Sequence, residues 1–120
     1  MLVTNAFSIN MLNDGSDLRF SRITAQSAAE LLELENWRSC VGHADTARVM
    51  SAVLGTEIRA NRVTVNFDGT EKLLVGQYKG PRLHEGATEL PQGAHIEWWI
   101  VEDVSKLIGE LADELDWVYQ

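Results

Sequence analysis

Cysteine is almost absent from this 120-residue chain, occurring once at Cys40. A single thiol supports neither a disulfide framework nor a paired-thiolate zinc site, so a buried, inert side chain is its simplest expected role. Long apolar runs are missing too: no stretch of about 18 apolar residues exists to span a bilayer. The start MLVTNAFSINML lacks the basic flank of a signal peptide. A soluble, cytoplasmic chain with no membrane partner is expected. Proline is confined to Pro81 and Pro91, both in one loop.

Basic residues are the third shortage. Ten Lys and Arg face 18 Asp and Glu, for a net charge of −8. Neutralising a duplex backbone takes a basic face, so duplex nucleic acid is not an expected partner. The deficit is uneven, with residues 1–36 carrying −3, residues 37–90 carrying +1 and residues 91–120 carrying −6. Arg48, Arg59, Arg62, Lys79 and Arg82 are thereby left to converge on a small anion. The acidic stretch 102–116 needs only solubility as its explanation.

An apolar fraction of 45% suits one modest core, and a chain of this size buries roughly two thirds of its unfolded surface. Leu2 to Phe7 reads as a first strand running into the polar cluster Asn13, Asp14, Gly15, Ser16 and Asp17. Leu18 to Ile23 alternates as a second strand would. Thr24 is a good N-cap for AQSAAELLELE, which places Ala28, Leu31, Leu32 and Glu35 at helical spacing with Leu34 less well placed. ADTARVMSAVL predicts a second helix with Ala47, Met50 and Leu54 on one face, Gly55 as its stop and His43 just before its first turn. RVTVNF, the turn DGT and KLLVGQY predict a β-hairpin over 62–78, its second arm apolar enough for an inner strand.

GPRLHEGATELPQG then holds three Gly and two Pro in 14 residues, and loops of that length are more often functional than idle. HIEWWIV resumes β character. VSKLIGELADELDWV puts Val104, Leu107, Ile108, Leu111, Leu115 and Val118 on one face of a terminal helix, and Trp98 and Trp117 read as core or interface residues. With no repeat, linker or low-complexity stretch, one α/β domain over 1–120 is expected.

Chemistry concentrates at Gly42-His43, followed by Asp45 and Thr46, where a helix begins. Unpaired amides and the partial positive charge of a helix N-terminus stabilise a phosphate, and a nearby imidazole can donate a proton. That pairing suits phosphodiester cleavage. His43 could equally cap or pack the helix start, and spacing alone does not separate the two. His43, His84 and His95 are too scattered for a metal site, so no metal or cofactor is expected. A Ser8-His43-Asp45 triad lacks the accompanying GxSxG elbow. Arg82 and Glu85 within RLHEG either pair to shape the loop or act on a ligand, Arg82 forking onto a phosphate and Glu85 orienting it or a ribose hydroxyl.

Taken in order, NAFSINML at 5–12, VGHADTARVMSAVLG at 41–55, NRV at 61–63 and RLHEG at 82–86 resemble the viral type III anti-CRISPR ring nuclease family. Its members carry an AFSINML-like start, a GH-x-[DS]-T helix entrance, an NRV strand and an R-L-x-E-G loop. The resemblance covers roughly residues 2–90. It implies an α/β subunit with a central mixed β-sheet flanked by helices, forming a two-fold homodimer that binds cyclic tetra-adenylate across its axis. The implied reaction is metal-independent, with a ribose 2′-hydroxyl attacking the neighbouring phosphate while a histidine protonates the leaving 5′-oxygen.

Matched position by position, the resemblance implies that His43 is the general acid, Arg82 the phosphate clamp and Glu85 a polar partner or ribose anchor. Ser8, flanked by Asn5 and Asn10, would hold ligand, and Arg62 would be a further ligand or structural residue. Gln77 resembles a family glutamine at the end of the hairpin, although KGP adds one residue before Arg82 here. The place of action would be host-cell cytoplasm if the source is viral. Two readings from other classes stand beside this one: a sponge that captures the messenger without cutting it, and a non-enzymatic interaction protein.

Overall fold

The computed structural model describes residues 1–12 and 16–105. The expected terminal helix and Trp117 lie outside the described residues, as do residues 13–15 of the expected polar turn. Helix α1, Ala25–Leu34, begins where Thr24 Oγ1 accepts the Ser27 amide at 3.0 Å. It buries Ala28 and Leu32 against the sheet and leaves Leu34 82% exposed, as the spacing implied. Helix α2, Ala44–Leu54, buries Ala47, Val49, Met50 and Leu54. Gly55 ends it at φ 69°, a left-handed value that glycine adopts without a Cβ penalty.

Five strands make one mixed sheet: β1 Leu2–Thr4, β2 Leu18–Ile23, β3 Arg38–Ser39, β4 Leu73–Lys79 and β5 His95–Asp103. Their order is β2-β5-β4-β1-β3, with β1 parallel to both β3 and β4, and β5 antiparallel to both β4 and β2. The α/β class read from the sequence is therefore correct. β1 stops earlier than Phe7 because the chain turns away after Thr4. It enters a single 3₁₀ turn, Ile9–Met11, whose first amides Ser8 caps by accepting from Asn10 N at 3.3 Å.

The expected hairpin does not form. Both edges of β4 are taken, by β1 on one side and β5 on the other, so its ladder bonds are spent on partners far away in sequence. Residues 62–66 join no strand, and Phe67 makes only an isolated parallel bridge to Leu12. The alternation in RVTVNF serves packing instead: Phe67 is 1% exposed, and it and Val65 fill a cluster with Leu2, Leu73, Val75 and Val101. The helices cover the other sheet face, where Val3, Leu74, Trp98 and Ile100 meet Ala28, Leu32, Val41, Ala47 and Met50. Trp98 is thus a core residue, and burying each such side chain is worth about 1.5–3 kcal/mol before entropy is counted. Cys40 is half-buried, and burial pushes its thiol pKa up, away from the reactive thiolate. Among the described residues no helix is long and apolar enough to cross a membrane.

Candidate functional site

The three parallel strands end on one side of the sheet, where β1 runs into Asn5, β3 into the start of α2, and β4 into the loop after Lys79. Open α/β sheets bind ligands in such crevices at the carboxyl ends of strands. Here the crevice is a cleft of about 870 Å³. Asn5 lines it from β1, His43, Asp45 and Thr46 from the α2 entrance, Tyr78 from β4, and Gly80, Arg82, Leu83 and Glu85 from the loop. Residues from three separate stretches of the sequence meet in one space.

Local bonds fix each wall. The Gly42 amide donates to Asn5 Oδ1 at 3.4 Å, joining the end of β1 to the turn before α2. His43 is the N-cap of α2 by backbone position, its carbonyl accepting from Ala47 N at 3.0 Å, while its side chain makes no capping bond and stays exposed. The imidazole is therefore not spent on capping. Opposite it, Tyr78 Oη donates to the Pro81 carbonyl at 2.5 Å and holds the loop's first bend to β4. The Ala87 amide closes a turn onto the His84 carbonyl at 3.0 Å, and Gly86 takes φ 80° within it.

Electrostatically the cleft mixes signs. Asp45 is 9% exposed and is answered by Arg48 one helical turn on. Among the described residues Arg82 and Glu85 enter no ion pair, so the loop-shaping pair allowed by the sequence is not made. Arg82, the amides opening α2 and the free imidazole together offer an anion two kinds of donor and a proton source. Among those residues no three of His, Cys, Asp and Glu converge as metal ligands.

Of the residues singled out from the sequence, Asn5, His43, Arg82 and Glu85 share this cleft. Arg62 lies beside it, its Cγ 3.6 Å from where a Cβ on Gly42 would be, on a segment pinned to the end of β3 by Asn61 Nδ2 donating to the Ser39 carbonyl at 2.8 Å. Ser8 and Asn10 sit on the exposed 3₁₀ turn beyond Asn5 and do not line the cleft. Gln77 points the other way: along a strand successive side chains alternate faces. It lines a separate cleft of about 380 Å³ with Phe7, Phe20, Val75 and Trp99. Tyr78 and Gly80 were not anticipated as lining residues; the alternation that sends Gln77 away is the signal that would have found Tyr78.

Residues 1–96 match the family model described as STIV B116-like. The chain belongs to the STIV B116-like family. The solved structure of B116 from Sulfolobus turreted icosahedral virus superimposes with a TM-score of 0.72 at 27% identity, covering 84% of this chain and 97% of that one. Uncharacterized protein 26 of Sulfolobus islandicus filamentous virus is 41% identical over 64 residues. That alignment spans 53% of each protein, so the chain matches about half the length of this curated relative. The part matched by the B116-like family includes every residue lining the cleft.

Proposed function

We propose that the chain is a metal-independent ring nuclease, whose homodimer binds cyclic tetra-adenylate across its two-fold axis and opens it, antagonising type III CRISPR signalling. The observation that carries this reading is the meeting of Asn5, His43, Arg82 and Glu85 in one cleft at the start of α2. Membership of a family with relatives in Sulfolobus viruses fits a viral role.

A ring of four ribonucleotides carries its own nucleophile, so little is asked of the protein beyond in-line geometry, charge stabilisation and an acid. The 2′-oxygen bonds to phosphorus as the bond from phosphorus to the 5′-oxygen breaks. Glu85 orients the hydroxyl, whose proton passes to solvent. His43 in its protonated form delivers a proton to the departing 5′-oxygen. Arg82 and the α2 amides hold the phosphate oxygens through the transition state, where such donors act most strongly. The products are linear oligoadenylates ending in a 2′,3′-cyclic phosphate. A symmetric ring matches a symmetric dimer, each subunit presenting one copy of the cleft.

Mass spectrometry of cyclic tetra-adenylate incubated with the protein in excess chelator tests this directly. Linear products with a cyclic-phosphate end are expected. His43→Ala should keep binding while losing on the order of 10²–10⁴ in cleavage rate, the usual worth of a positioned acid. Binding by wild type with no product at single turnover would replace the nuclease by a sponge. Absence of both binding and product would leave a non-enzymatic interaction protein.

A further inference from the structure

Asp45 follows His43 by two residues but does different work. Its side chain is almost buried, and a carboxylate removed from water needs partners that satisfy it. Those partners lie on two elements. One oxygen accepts from Arg48 on the same helix and from the Gly86 amide, at 3.0 Å, in the loop. Arg48 completes the arrangement by donating Nε–H to the Ala87 carbonyl at 3.2 Å. The carboxylate thus takes a loop N–H and the guanidinium a loop C=O, one residue apart.

We infer that Asp45 is a positioning residue, which with Arg48 clips the turn at Gly86 and Ala87 to the first turns of α2 and so sets Glu85 and Arg82 in register with His43. The inference rests on the ring-nuclease reading above for its catalytic consequence. The ordinary alternative is that Asp45 is simply an acid favouring a helix N-terminus. Such an acid has no need of a loop amide, and its loss would leave the loop where it is. Gly86 answers the same need from the other side: its φ of 80° suits a turn that presents an amide to the carboxylate, and no neighbouring atom lies within 4 Å of a would-be Cβ. Conformation, not crowding, demands glycine there.

The test uses the full chain and two independent readouts. Amide exchange at Gly86, followed by NMR, should be protected in wild type and about tenfold faster or more in Asp45→Ala, the effect of losing one charge-assisted hydrogen bond. Cleavage of cyclic tetra-adenylate by Asp45→Ala should lose kcat by on the order of 10², the cost of misplacing reacting groups by about 1 Å, with KM moving much less. Asp45→Asn keeps an acceptor oxygen for Gly86 and should recover most of both losses. Arg48→Gln, which frees the Ala87 carbonyl and removes the ion pair to Asp45 but leaves the Gly86 amide its acceptor, should fall between and serves if Asp45→Ala folds poorly. Unchanged Gly86 exchange in Asp45→Ala overturns the inference whatever happens to activity. A wild type that protects Gly86 yet cleaves nothing sinks the nuclease reading and leaves the clip standing.

Discussion

Replacing Gly76 by alanine puts a number on how tightly the middle of the sheet is packed against α2. Gly76 is buried on β4, on the face that meets the helices. A Cβ there would stand 2.6 Å from Trp98 Cζ3, 3.0 Å from Trp98 Cη2 and 2.9 Å from Met50 Cε. Carbon atoms prefer about 3.5–4.0 Å, so the added methyl is short of room by roughly 1 Å on two sides. Met50 Cε is the end of a flexible chain and can swing away, but Met50 is fully buried and the Trp98 indole is 2% exposed. Overpacking of this kind costs about 1–3 kcal/mol, while alanine returns about 0.4–1 kcal/mol by restricting the unfolded chain. The net loss should be about 1–2 kcal/mol, or a fall of roughly 4–8 °C in Tm for a domain of this size. Circular dichroism melts and urea titrations give both values. Adding Met50→Ala supplies a control, since the double variant should lose less than the sum of the singles as the methyl enters the vacated space. A Gly76→Ala protein as stable as wild type, or strictly additive losses, would refute the packing argument.

Gly80→Ala should damage the candidate site more than the fold. Its Cβ would stand 2.6 Å from Ala94 Cβ, forcing the loop start near Arg82 to move; ligand affinity and cleavage should fall, and Ala94→Gly should restore part of each. Failure of that second change to help would disprove the steric cause. The stability of the protein should also fall in acid through the turn at Asp68, whose carboxyl is held below its ordinary pKa by the hydroxyl and the amide of Thr70. A depressed folded pKa gives stabilisation that is present above the unfolded value, near about 3.9, and fades as pH drops through the folded one. Tm measured from pH 6 down to pH 2 should decline less steeply in Asp68→Asn, and parallel curves would exclude the contribution.

The helices were legible because their signals are local. Thr24 and Gly55 mark ends, and the apolar spacing of 44–54 is satisfied by one face against one sheet. β2 was legible for the same reason, since alternation over 18–23 needs no knowledge of its partner. β3 was not, because Arg38–Ser39 becomes a strand only through β1. The stretch 62–67 misled for a physical reason: alternation reports that every second side chain can pack inward, as Phe67 does fully and Val65 in part while Val63 stays exposed, but it says nothing about whether the backbone has a free strand to join. At the site, His43, Arg82 and Glu85 stood out through the motifs that contain them. Gln77 shared such a motif position and yet lies on the opposite sheet face from Tyr78, which a strict period of two along KLLVGQYK already contains. Asp45 was visible as a neighbour of His43, whereas its bond to Gly86 depends on a loop path that no local pattern encodes.

The parallel placement of β1 between β3 and β4 has a temporal side. Leu2 pairs with both Arg38 and Leu73, so β1 stays without its full set of neighbours until synthesis has passed Leu73, some seventy residues further along the chain. Such distant pairings slow folding. A nascent chain stalled before Tyr78 would carry His43 and Asn5 but no cleft, so the walls should come together in one step once the loop that follows β4 has been made.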